Sequence, residues 1–142
     1  MIDRLAVLTA GAAMLTTAVD RPVGEGRIPD GNPDPPYYVL DLVGHRPDGA
    51  PYSDLNEDSS TVLQVKCVAE QLDQALWLAD KASRAFIERD QSTGQWLNDI
   101  PVPGAKVFCR AVDSEPGDTS DPSAAIVSYV LRIRLDLTSA AP

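Results

Sequence analysis

Thr61-Val-Leu-Gln-Val-Lys-Cys-Val68 runs into Ala69-Glu-Gln-Leu-Asp-Gln-Ala-Leu-Trp-Leu-Ala-Asp-Lys-Ala-Ser-Arg-Ala-Phe-Ile87. In the first part Leu63, Val65 and Cys67 alternate with Gln64 and Lys66, the period of a strand with one covered and one polar face. In the second, Leu72, Ala75, Leu76, Ala79, Ala82 and Phe86 recur by threes and fours, the stripe of a helix that covers such a face. Glu70 and Asp73 early in the helix, with Lys81 and Arg84 later, follow the order its dipole favours. The passage predicts a half-buried strand feeding a covering helix.

The same two periods organise the rest of the chain. Leu5, Leu8, Ala12, Leu15 and Val19 keep helical spacing, and Asp20-Arg-Pro22 ends that helix because proline lacks the amide hydrogen. The apolar run is broken by Thr9 and Gly11, and Asp3 offsets Arg4, so a packed helix fits better than a secretory leader. Tyr37 to Val43 reads as a strand with Tyr38, Leu40 and Leu42 inward and Asp41 outward. Ala105 to Val112 alternates with Val107, Cys109 and Ala111 inward and Lys106, Phe108 and Arg110 outward. The final strand places Val127, Tyr129, Leu131, Ile133, Leu135 and Leu137 inward, with Ser128, Arg132, Arg134 and Asp136 outward. Long loops are expected at about 21–36, 44–60, 90–104 and 113–123; the first is a proline-rich arm.

The order α-β-β-α-β-β predicts one α+β domain over residues 1–142. Its four-stranded, mainly antiparallel sheet carries both helices on one face. The open face would hold Gln64, Lys66, Lys106, Arg110, Arg132 and Arg134. A basic face with acidic loops suits head-to-tail contact between copies, although a merely solvated face reads as well. Tyr52, Asp54, Glu57 and Trp96 in the loops join Arg110, Arg132 and Arg134 as candidate contacts with other subunits or partners.

A chain of 142 residues can bury a core without metal or disulfide staples. The net charge of −9 and pI near 4.4 argue against a general nucleic-acid binder, which neutralises phosphates with Lys and Arg. No run of apolar residues is long enough to span a membrane. Cys67 and Cys109 are too few for a metal motif and read as reduced core thiols rather than a disulfide.

No catalytic constellation stands out. His45, the sole histidine, sits in the turn-rich Gly44-His-Arg-Pro-Asp-Gly49, with no evident carboxylate to orient it as a base. Gly24-Glu-Gly-Arg-Ile-Pro29 lacks the third glycine and the strand–helix context of a dinucleotide fingerprint. The acidic groups at Asp54 to Asp58 and Asp113 to Asp121 lack the ligand spacing of a calcium loop. No metal, cofactor or catalytic residue is expected, and the chain reads as a binding or building module rather than an enzyme.

Three stretches resemble the tail terminator proteins of siphovirus-type, long-tailed phages of actinobacterial hosts. Pro36-Tyr-Tyr-Val-Leu40 follows a proline-rich arm as the family's first strand does, and Leu63-Gln-Val-Lys-Cys-Val68 is similar to its second strand. Gln74-Ala-Leu-Trp-Leu-Ala-Asp-Lys81 resembles the next helix, with Lys81 where the family often has arginine after its A-D pair. The likeness runs through nearly the whole chain in element order, on short structural motifs. It implies a homohexameric ring at the head–tail junction of a virion, assembled in the host cytoplasm. Such a ring caps the tail tube protein, ends tube growth and docks the head–tail connector protein, while DNA passes through its lumen. Another head–tail joining or minor tail protein fits the same residues. A secreted small binding domain is a further alternative.

Overall fold

A computed structural model describes residues 2–48, 58–119, 123 and 125–139. Its elements are α1 (Arg4–Val19), β1 (Val23–Glu25), β2 (Tyr37–Asp48), β3 (Asp58–Ala69), α2 (Leu72–Ile87), β4 (Ala105–Asp118) and β5 (Val127–Ser139). The sheet runs β1-β2-β3-β5-β4, antiparallel throughout except where β1 lies parallel to β2. The α+β class holds, with five strands rather than four and the order α-β-β-β-α-β-β.

The fifth strand comes from the arm. Val23, Gly24 and Glu25 pair with Tyr38, Val39 and Leu40. Three residues held by backbone bonds need no side-chain alternation, so the proline-rich composition concealed them. The loops expected at 44–60 and 113–123 are also shorter, because β2 extends to Asp48, β3 begins at Asp58 and β4 extends to Asp118.

Both helices share one core with the inner face of the sheet, where Tyr38, Leu40, Leu63, Val65, Cys67, Leu131, Ile133, Leu135 and Leu137 are fully buried. α1 is capped by Asp3, whose carboxylate accepts from the Leu5 amide at 2.9 Å. It ends at Asp20, whose left-handed backbone donates to the Thr16 carbonyl. Its buried face is Val7, Ala10, Gly11, Ala12, Met14 and Leu15, rotated from the expected stripe so that Leu5 stands 64% exposed. The small residues explain the rotation. A Cβ on Gly11 would lie 2.9 Å from Leu63 Cδ1, so the helix approaches the sheet through Ala10 and Gly11.

α2 shows the same preference. Ala75, Leu78, Ala79, Ala82, Ala85 and Phe86 are buried, while Leu72 and Leu76, expected inside, are 46% and 41% exposed. Tyr38 reaches up from β2 and its hydroxyl donates to the Leu78 carbonyl at 2.7 Å, which fixes the helix over the sheet. Burial raises the Tyr38 hydroxyl well above the usual phenol range.

Candidate interaction surface

The residues named from sequence fall in three places. Tyr52, Asp54 and Glu57 lie outside the described residues. Arg132 and Arg134 stand on the sheet face away from the helices, as expected. Arg132 Nε donates to Gln64 Oε1 at 3.2 Å, and Arg134 Nε lies 3.5 Å from Asp136 Oδ1. Partly exposed pairs of this kind contribute little each. The face is not uniformly basic either, because Tyr37, Val39 and Val68 form a second buried apolar cluster on it.

Arg110 is the main correction. It was expected outside and is only 6% exposed, on the helix side of the sheet. The β4–β5 register shifts between Val107 and Cys109, so Phe108 is an extra residue that inverts the facing of Cys109 to Val112. Val107 still opposes Leu137, but Cys109 now opposes Asp136 and Arg110 opposes Leu135. Cys109 and Ala111, expected inward, therefore join the outer rows, and Cys109 is half-buried while Cys67 is buried in the core. Both thiols are free.

A buried guanidinium needs partners, and the end of α2 supplies one. Arg110 Nη1 donates to the Phe86 carbonyl at 3.2 Å, one of the last carbonyls of the helix, where positive charge is favoured. Asn98 Nδ2 donates to the neighbouring Ala85 carbonyl at 3.1 Å. Burial weakens Arg110's hold on its proton, and the negative charge of Asp99 partly restores it. Arg110 Nε is buried and has no hydrogen-bond partner among the described residues.

Trp96 completes the group. Residues 88–97 form a tight turn in which Asp90 accepts from the Ser92 amide and hydroxyl at 2.8 and 2.6 Å. Those bonds hold the exposed Asp90 carboxyl below its usual range. The Asp90 carbonyl accepts from Gly94, whose positive φ of 72° suits a residue without Cβ. The Leu97 amide returns to the Glu88 carbonyl at 2.9 Å. This turn sets the Trp96 ring with the Arg89 guanidinium 4.1 Å and the Arg110 guanidinium 4.9 Å from its centroid.

The result is a cleft of about 790 Å³ between this turn and the start of β4. Ile100 and Val102, buried in the main core, line it together with Trp96 and Phe108. Its charged lining is Arg89, Lys106 and Arg110 against the single carboxylate of Asp99. On a chain of net charge −9 this is a local positive site. Trp96 and Arg110 were thus brought together, although Arg110 arrived from the opposite predicted face. Arg89 and Asp99 carried no periodic signal that could have marked them.

His45 sits in β2 opposite Thr61, with Nδ1 2.9 Å from the Thr61 hydroxyl. Among the described residues no group of three or more His, Cys, Asp or Glu could hold a metal ion, and no helix is long and apolar enough to cross a membrane.

No family model matches the chain, and no curated protein matches it. Among solved structures it is similar to a chain from "Virion of native gene transfer agent (GTA) particle", with a TM-score of 0.60 at 13% identity. The match covers 89% of this chain and 86% of that one. At this identity the likeness is one of fold.

Proposed function

We propose that this chain is a structural virion protein that closes with copies of itself into a ring. The ring caps the tail tube, ends tube growth and presents the head–tail connector with a docking surface. The observation that carries this reading is the fold shared with a virion component over nearly the full length of both chains. The resemblance of Pro36–Leu40, Leu63–Val68 and Gln74–Lys81 to tail terminators supports the same role from the sequence. The role is one of assembly, not catalysis. His45, the only side chain considered as a general base, is engaged across the sheet with Thr61. The acidic balance suits a lumen that DNA traverses without being held.

Mass photometry and size-exclusion light scattering of the pure protein, alone and with purified tail tubes, test the proposal. The expected result is a closed ring, six-fold by the family resemblance, in solution or at tube ends. A protein that stays monomeric and ignores tubes overturns it.

A further inference from the structure

We propose that the Trp96–Arg110 cleft is a socket for an acidic segment of a second copy of this chain, residues 52–58. The inference rests on the assembly role proposed above and names the contact that would build it. The cleft is a built site rather than a surface accident. Arg110 is 94% removed from solvent by its 6% exposure, lines the cavity, and keeps a buried Nε without a partner among the described residues. Among the described residues, only Nη1 of its guanidinium has a hydrogen bond, to the Phe86 carbonyl. A guanidinium has five donors in a planar fork that matches a carboxylate. Arg89 and Lys106 add positive charge at the rim, and Trp96 and Phe108 add flat apolar surface. The ligand that fits is a short peptide bearing carboxylates beside an aromatic or aliphatic residue.

This chain carries such a peptide. Tyr52-Ser-Asp-Leu-Asn-Glu-Asp58 places three carboxylates, a tyrosine and a leucine within seven residues. The other acidic stretch, Asp113 to Asp121, suits the cleft less well. It has no aromatic residue, and Asp113 to Asp118 are already part of β4, whereas Asp58 is the one residue of the first stretch that the described strands include, at the start of β3. A socket on one copy and a plug on the next make a heterologous contact, the kind that closes into a ring when its rotation allows.

The test uses Trp77→Phe protein, which leaves Trp96 as the only tryptophan; Trp77 is exposed and outside the core. Three probes are titrated while Trp96 fluorescence is read: the peptide spanning residues 51–60, the same peptide with Asp54, Glu57 and Asp58 amidated to Asn, Gln and Asn, and inorganic phosphate. The acidic peptide should give a saturable change, weakened by salt, with the amidated peptide binding about tenfold less tightly or worse. Phosphate should give none at matched concentration. Arg89→Gln, at an exposed position, should weaken the acidic peptide roughly threefold or more, while the lost stack on Trp96 lowers the melting temperature by no more than a few degrees. No saturable change overturns the socket, as does equal binding of the two peptides or an equal response to phosphate. Rings that form on tubes while the peptide leaves Trp96 unmoved overturn the socket and leave the assembly role standing. Peptide binding by a chain that never associates, even on tubes, overturns the contact between copies together with the ring.

Discussion

Strands β5 and β4 lie side by side, yet one alternates without interruption and the other shifts register three times. β5 is paired on both sides, with β3 and β4, so an extra residue in it would disturb two ladders at once. β4 is at the sheet's edge, where each bulge disturbs only one. The outcome is visible in burial: Leu131, Ile133, Leu135 and Leu137 are all fully buried, as alternation predicts. In β4 the same rule fails after Phe108 and delivers an arginine to the core side. Alternation is a sound guide to facing where a strand segment is paired on both sides and a weaker one where it is paired on one, as in β4 and in β2 around Val43, beyond the residues that β1 pairs.

The largest effect expected from this contrast is in the central strand. Ile133→Ala removes a fully buried side chain from β5 and should cost about 2–5 kcal/mol in urea denaturation. A loss below about 1 kcal/mol would mean that the core is not organised around β5.

The two cysteines sharpen the comparison next. Burial, with a smaller contribution from the charge of Glu115, pushes the Cys67 thiol up to about 12. The folded chain therefore keeps this proton to higher pH than the unfolded chain does. Its stabilisation is complete below the ordinary thiol range and is lost as pH climbs toward 12, and Tyr38 adds a loss of the same sign at higher pH. Denaturation midpoints should fall between pH 9 and 11, by about 2 kcal/mol from Cys67 alone, and Cys67→Ala should flatten that slope. A slope unchanged by Cys67→Ala contradicts the assignment. Thiol labelling gives a second readout: half-buried Cys109 should react in the native protein, while Cys67 waits for unfolding.

Much of the fold was legible because its central strands obey simple alternation. The inward positions Tyr38, Leu40, Leu63, Val65 and Cys67 were all found there. The helices were legible in extent but not in rotation. Leu5, Leu72 and Leu76 have the larger hydrophobic side chains, yet Ala and Gly occupy the close contacts, since backbone approach to the sheet favours small residues. β1 left no signal because its pairing is made by the backbone alone. Of the cleft, Trp96 and Arg110 were visible as residues. Their meeting was not, because Lys106-Val-Phe-Cys-Arg110 can be threaded in either phase and the phase with Val107, Cys109 and Ala111 inward is the more apolar.

Arg110 itself should yield an intermediate effect. Arg110→Met keeps bulk but loses the bond to the Phe86 carbonyl and the contact with Trp96, and should cost about 1–2 kcal/mol in urea denaturation. Removing a buried charge from the fold offsets part of that loss. Arg110→Lys keeps the charge but not the planar stack, so it should recover only part of the lost stability. A more stable Met variant would show that Arg110 is retained against the interests of the fold, as a binding residue would be.

The smallest effect is expected directly across the ladder from the largest. Val112 opposes Ile133 in register, on the same side of the sheet, yet on the edge strand it is 48% exposed. The side chain has little buried area to lose, and its edge position leaves room for the backbone to relax. Val112→Ala should therefore change stability by no more than about 0.5 kcal/mol in the same urea experiment. Ile133 and Val112 are ladder partners, so their ratio holds register fixed and, once the extra methylene of Ile133 is allowed for, compares the two strand positions. A Val112→Ala loss approaching that of Ile133→Ala would mean that the edge strand is covered in solution, and the first place to look for the cover is a second copy of the chain.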